Sequence, residues 1–255
     1  MILVFGGTTE GKLVIELLES LQLPYFYSTK TEINVTLGSV GRYRFGAFSN
    51  AELAAFIKEH HINCCIHASH PFATVLHETV AEVFEKHDIP VLRLEREYPQ
   101  RSTEKGVHYV IDYPEVIALL KQQFSNKTLL GLTGVQTIEK LADHWKSNRC
   151  YFRILDRQSS IDIAVKNNFP LEQLILGYPN TSLKEEVALY KEKEVGVVLT
   201  KESGHSGSLS VKIDAAKCVD IPIIIIKKPA LPTYFQLVKH AKELKSMLKT
   251  LKICL

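Results

Sequence analysis

One early run of the chain has residue types suited to an anion. Gly6-Gly7-Thr8-Thr9-Glu10-Gly11 follows the apolar segment Ile2-Leu3-Val4-Phe5 and precedes Lys12–Leu21, where Leu13, Leu17 and Leu21 recur at helical spacing. Glycines let backbone approach a ligand, the first N–H groups of a helix point at negative charge, and threonine hydroxyls add donors. Phosphate is the ligand this chemistry fits, and a tight turn without a ligand is the competing reading. The spacing is neither Gly-x-Gly-x-x-Gly nor a Walker loop, which needs Gly-Lys before Ser or Thr. Glu10 suits ribose hydroxyls, or simply the positive end of the helix dipole.

Other candidates also sit where apolar runs end. Ser69-His70-Pro71-Phe72 follows Ile62–Ala68, so His70 is placed to give a hydrogen bond or a proton to a ligand; the alternative is a helix entry begun by Pro71. Thr133-Gly134 and Thr200-Lys201-Glu202-Ser203-Gly204 are turns able to hold carboxylates or phosphates. Arg42, Arg44, Arg93, Arg96 and Lys201 lie near strand ends or glycine turns, where each is an ordinary surface charge unless several converge on one edge. The ten histidines show no metal spacing, so no metal site is expected. Neither a Ser-His-Asp arrangement nor an isolated pair of carboxylates stands out, and no catalytic residue is assigned.

These motifs need an alternating scaffold. Strands are predicted at Ile2–Phe5, Tyr25–Thr29, Asn34–Leu37, Ile62–Ala68 and Pro90–Leu94, with helices over Lys12–Leu21, from Asn50 to Glu59, and up to His87. The series restarts with strands at Val107–Ile111, Thr128–Leu132, Cys150–Leu155, Val195–Thr200 and Ile221–Ile226. Helices are expected near Pro114, from Thr133-Gly134 to Trp145, over Leu183–Lys191, up to Val219, and in the Lys-rich segment Lys239–Lys252. The pattern predicts an α/β fold with doubly wound parallel sheets. So many strands exceed one open sheet, which gives two domains, 1–100 and 101–255, parted at the polar stretch Glu95–Gly106.

Composition sets limits. The 255 residues are 45% hydrophobic and 23% charged, ordinary for a globular protein. No apolar run reaches the ~18 residues of a membrane span, and the apolar start lacks the basic lead of a signal peptide. A net charge of +3 is too mild to call for nucleic acid or membrane surfaces. Five cysteines, Cys64, Cys65, Cys150, Cys218 and Cys254, point to free thiols and a cytoplasmic location. Cys64 and Cys65 leave one strand on opposite faces, so they read as buried thiols rather than a metal pair. Oligomeric state is not legible.

In order, the motifs resemble the precorrin-6A reductase family, including its cobalt-precorrin-6A branch. The resemblance rests on Ile2–Gly11, Ala68–Ala73 and Pro90–Arg96, then on Leu132–Gly134, Arg153–Asp156, Thr200–Gly204 and Lys212–Ala216, and so spans nearly the whole chain. It implies two Rossmann-like domains with an interdomain cleft, the first for cofactor and the second for a polycarboxylated tetrapyrrole. It also implies hydride transfer from NADH or NADPH to ring D of precorrin-6A or its cobalt form, in cobalamin biosynthesis. On that reading Gly6, Gly7, Thr8, Thr9, Glu10, Lys30, Ser69 and His70 meet the cofactor, Lys30 as a partner for a 2′-phosphate. Arg42, Arg44, Arg93, Arg96, Thr133, Gly134, Lys201, Ser203 and Gly204 meet substrate carboxylates. Three other readings compete: another dinucleotide-dependent reductase or epimerase acting on a different substrate, a non-enzymatic two-domain binding protein, and an S-adenosylmethionine-dependent methyltransferase, which the lack of an acidic residue at the end of the second strand disfavours.

Overall fold

The computed structural model describes residues 1–180, 182–204 and 207–253, so Cys254 lies outside the described residues. In chain order the first elements are β1 (Ile2–Phe5), α1 (Thr9–Ser20), β2 (Tyr25–Thr29), β3 (Gly41–Phe45), α2 (Asn50–Glu59), β4 (Cys64–His67), α3 (Thr74–Lys86) and β5 (Val91–Leu94). Next come β6 (Val107–Val110), α4 (Tyr113–Gln123), β7 (Leu129–Leu132), α5 (Ala142–Trp145), β8 (Cys150–Ile154), α6 (Gln158–Lys166) and β9 (Leu174–Leu176). The last are α7 (Leu183–Glu192), β10 (Val197–Lys201), α8 (Leu209–Cys218), β11 (Ile223–Ile226), β12 (Gln236–Val238) and α9 (Ala241–Thr250).

Two compact units form, Met1–Glu97 with Pro229–Leu255, and Tyr98–Lys228. The first holds a six-stranded sheet in the order β3-β2-β1-β4-β5-β12, parallel throughout. Its strands are apolar runs because both faces are covered. Ile2, Val4 and Cys64 pack with Val14, Leu18, Leu244 and Leu248 on one face. Leu3, Phe5 and Cys65 pack with Leu53, Val80 and Phe84 on the other. The two adjacent thiols thus lie in separate cores, and burial pushes Cys64 up to about 12. The second unit holds the parallel order β9-β8-β7-β10-β11-β6. Counted from β1 and from β7, both sheets follow the doubly wound order 3-2-1-4-5-6. The sixth place is taken by the last strand of the chain in one unit and by the unit's own first strand in the other.

Several expectations need correcting. Residues 229–255 belong to the first unit, not to the second domain expected at 101–255. β12 hydrogen-bonds to β5 there, and α9 buries Leu244 and Leu248 against α1 and β1. Asn34–Leu37 is not a strand; the third strand is the basic, aromatic Gly41–Phe45, edge-paired to β2. Ser49 caps α2, and with Glu52 it forms a reciprocal capping box. The stretch after Gly134 is two 3-10 turns, Val135–Thr137 and Glu139–Leu141, before the short α5. Gln158–Asn180, which shows little periodicity, contains α6 and β9.

Candidate functional site

In a doubly wound sheet, loops diverge where the strand order reverses and leave a crevice at the carboxyl ends. In the first unit that point lies between β1 and β4, and both sequence motifs of this half end there. Gly6 N–H donates to Ser28 O at 3.0 Å, closing the turn against β2. The turn rests on Tyr27: its hydroxyl accepts from Gly7 N–H at 2.8 Å, and a Cβ on Gly6 would overlap its ring. Gly7 has φ +86°, a conformation that favours glycine. Thr8 caps α1, its Oγ1 accepting from Gly11 N–H at 3.1 Å and donating to Ala68 O at 2.6 Å. One side chain therefore ties the glycine turn to the end of β4. Gly7 and Thr9 are exposed at the helix start, where N–H groups lack intrahelical acceptors.

Beside this turn, Ser69 is buried at 6% exposure and its Oγ has no partner among the described residues. A buried hydroxyl without a partner fits a ligand that supplies one. His70 is exposed, and its Nδ1 accepts from Phe72 N–H at 3.2 Å, which leaves the neutral ring's proton on Nε2. Exposed glycine backbone, helix-start amides and the Ser69 hydroxyl together suit a pyrophosphate and its ribose.

The basic candidates of this unit separate. Arg93 is 1% exposed and donates to Ser69 O at 2.8 Å and His67 O at 3.4 Å, with Glu95 Oε2 3.4 Å from its Nε. From there it holds the loop that follows β4 by its carbonyls. Arg96 and Glu10 pair at 2.9 Å, both largely buried. The pair sets the charge of each against the other beside the glycine turn. Arg44 donates to Ser28 Oγ at 2.7 Å and lies 3.7 Å from the Phe48 ring centroid, next to the glycine turn across β2. Arg42 on β3 and Lys30 just past β2 are exposed.

In the second unit the reversal lies between β7 and β10, where Thr133-Gly134 and Lys201–Gly204 emerge. Thr137 Oγ1 donates to Gly134 O at 2.6 Å and accepts from Thr133 Oγ1 at 2.6 Å, which locks that turn. Gly134 has φ +88°, and a Cβ there would meet nothing within 4 Å, so open space faces it. Burial, with the charge of Lys140 added, pushes Lys201 down to about 8. Ser203 and Gly204, the latter at φ +68°, complete the loop. Glu202 is buried and takes Arg101 Nε at 2.8 Å, Arg101 Nη2 at 3.0 Å and Lys228 N–H at 2.9 Å. It fastens the loop to both ends of the unit.

Other residues escape sequence reasoning. Tyr27 looks like a core strand residue yet carries the glycine turn. Arg153 and Glu186 pair at 2.7 Å inside the second unit, with Tyr190 and Asn180 donating to the same carboxylate at 3.0 and 2.8 Å. Lys212 is buried and donates to Thr200 Oγ1 at 3.3 Å; burial and the nearby Arg153 charge push it down to about 8. Only the Arg-Ile-Leu-Asp and Lys-Ile-Asp-Ala-Ala runs hinted at these positions, as parts of a resemblance rather than as chemistry. Among the described residues no helix is long and apolar enough to cross a membrane, and no group of three His, Cys, Asp or Glu could hold a metal.

Two parallel sheets of Rossmann strand order, with residue types suited to anions at both reversal points, define the class as a tandem Rossmann-like protein. Residues 1–252 match the family model described as precorrin-6x reductase CbiJ/CobK, and the chain belongs to that family. It is an oxidoreductase of cobalamin biosynthesis. It is 28% identical to a precorrin-6A reductase of Rhodococcus erythropolis, covering 91% of this chain and 90% of that protein. It is 25% identical to a cobalt-precorrin-6A reductase of Methanocaldococcus jannaschii, covering 96% and 99%. The solved structure of a CobK precorrin-6A reductase superposes with TM-score 0.81 at 19% identity, covering 99% and 98%, and so shares the fold.

Proposed function

We propose that the protein reduces precorrin-6A, or its cobalt form, by hydride transfer from NADH or NADPH to ring D with protonation of the adjacent carbon. The observation that carries this reading is the family match across residues 1–252. The nicotinamide supplies the hydride when bound, and the chain supplies position and charge. The first unit takes the cofactor. Gly6, Gly7, Thr8 and Thr9 present the pyrophosphate edge, Ser69 and His70 line the other side of the strand reversal, and Lys30 is available beyond β2. Glu10 acts on this site through Arg96 rather than on ribose.

The second unit takes the tetrapyrrole. Thr133, Gly134, Lys201, Ser203 and Gly204 offer hydroxyl, backbone and ammonium donors to its acetate and propionate carboxylates; within the first unit, Arg42 and Arg44 are the guanidinium groups available to an anion. Purified protein is given NADH or NADPH with precorrin-6A and, separately, with the cobalt form, and nicotinamide absorbance is followed. Loss of absorbance with formation of the dihydro product is expected. No turnover with either substrate form and either cofactor would overturn the assignment.

A further inference from the structure

The loop from β4 to α3 has its carbonyls tied back into the first unit. Arg93 donates to His67 O and Ser69 O, Thr8 donates to Ala68 O at 2.6 Å, and His77 Nε2 lies 3.0 Å from Pro71 O. The loop then enters α3 at Ala73, which makes no side-chain cap. His77, one turn into the helix, holds the loop where a capping residue would otherwise do so.

The chemistry of these atoms fixes where the protons sit. Pro71 O can only accept, so His77 Nε2 carries a proton. In the neutral ring His77 Nδ1 is then an acceptor, and its partner at 2.8 Å is His67 Nε2, which must donate. His67 Nδ1 is left bare, and that atom is buried without a partner among the described residues. Burial and the charge of Arg93 hold both rings below the ordinary histidine range, consistent with a neutral pair. His67 is itself fixed by edge contacts to Phe5 and Phe235, with centroids 5.8 and 5.2 Å away. The chain of donors therefore runs one way, from His67 through His77 to Pro71.

We propose that His77, oriented by His67, is a positioning residue that sets the Ser69–Phe72 loop as the cofactor-binding edge of the first unit. The proposal rests on the reading that this unit takes the nicotinamide cofactor. The loop has no cap of its own, and Pro71 has no N–H with which to anchor itself. Without the His77 bond the loop loses its fixed carbonyl at residue 71, and the Ser69 hydroxyl and His70 ring lose their fixed places.

The test compares His77→Leu with His77→Gln, whose terminal amide can still donate to Pro71 O. His77→Leu should raise KM for NADH or NADPH about tenfold, a factor worth 1.4 kcal/mol. KM for the tetrapyrrole should stay unchanged, and His77→Gln should restore most of the loss. Hydrogen exchange at residues 69–73 should quicken in His77→Leu and return toward the wild-type rate in His77→Gln. His67→Phe, which keeps the ring packing, should weaken cofactor binding in the same direction but less. Equal behaviour of the Leu and Gln variants, or parallel loss of affinity for both substrates, would overturn the proposal. If the wild-type protein binds neither nicotinamide, the cofactor reading fails, and hydrogen exchange still decides whether His77 sets the loop.

Discussion

Gly11 and Tyr27 should be coupled strongly enough to change the sign of one substitution. A Cβ added at Gly11 would lie 2.5 Å from Tyr27 Oη and 3.1 Å from Gly6 Cα. The first contact is far inside van der Waals distance and the second is only tight. Gly11→Ala alone gains roughly 1 kcal/mol of helix propensity but overpacks the turn at a cost of about 1–3 kcal/mol. Net destabilisation of the first unit is therefore expected. Tyr27→Phe removes the clashing hydroxyl and with it the acceptor of Gly7 N–H, a loss of about 0.5–1.5 kcal/mol. In that background Gly11→Ala should cost nothing or stabilise, which makes the coupling favourable by roughly 1–2 kcal/mol. The four proteins of this cycle are compared by calorimetry, which follows the two units as separate transitions if they melt apart. Coupling below about 0.5 kcal/mol, the usual error of additivity, would refute the claim that Tyr27 dictates the glycine.

Glu202→Gln should destabilise the second unit by about 1–3 kcal/mol, since a buried carboxylate loses charge-assisted bonds from Arg101 and Lys228 N–H. Urea titration of the wild type should show the same contribution, because these donors outweigh burial and lower the Glu202 pKa in the fold. The stability is present above the unfolded carboxylate value and is lost as pH falls through the folded one; unchanged acid stability in Glu202→Gln relative to wild type would argue against it. Lys201, held to about 8, should lose its charge as pH rises through that value, so KM for the carboxylated substrate should rise there. Lys201→Ala should have a high KM with no such inflection, and an inflection persisting in the variant would remove Lys201 from the site. Stability should also increase with pH from about 8 up to the unfolded lysine value, because the unfolded chain binds more protons in that window.

Features carried by local chemistry were legible. Gly6 to Gly11 announce a strand-to-helix turn through glycines, a capping threonine and flanking apolar periodicity, and the order of strands and helices follows. Features that depend on distant chain were not. β12 is three residues long, mostly exposed, and pairs with β5 about 140 residues earlier, so neither length nor pattern marks it. Arg93 reads as a surface cation because nothing nearby in sequence reveals that the carbonyls of His67 and Ser69 wait beside it. Glu10 and Arg96 are 86 residues apart, and only the fold shows that they pair. His67 lies in an apolar strand whose composition does not disclose a partner on the next helix.

The strand order makes the first unit dependent on the end of the chain. β12 covers the free edge of β5, and α9 places Leu244 and Leu248 in the same core as Ile2, Val4, Val14 and Leu18. Val238, Leu244 and Leu248 are all fully buried. Exposing three such side chains costs roughly 5–9 kcal/mol at the usual value per residue, comparable with the whole stability of a domain, ~5–15 kcal/mol. Truncation after Lys228 should therefore unfold the first unit while Tyr98–Lys228, which contains its own complete six-stranded sheet, keeps its transition in calorimetry. Cofactor affinity should vanish with the first transition. A truncated chain that still bound NADH or NADPH at wild-type affinity would show that the swapped sixth strand is dispensable. The glycine turn would then be held by β1, β2 and β4 alone.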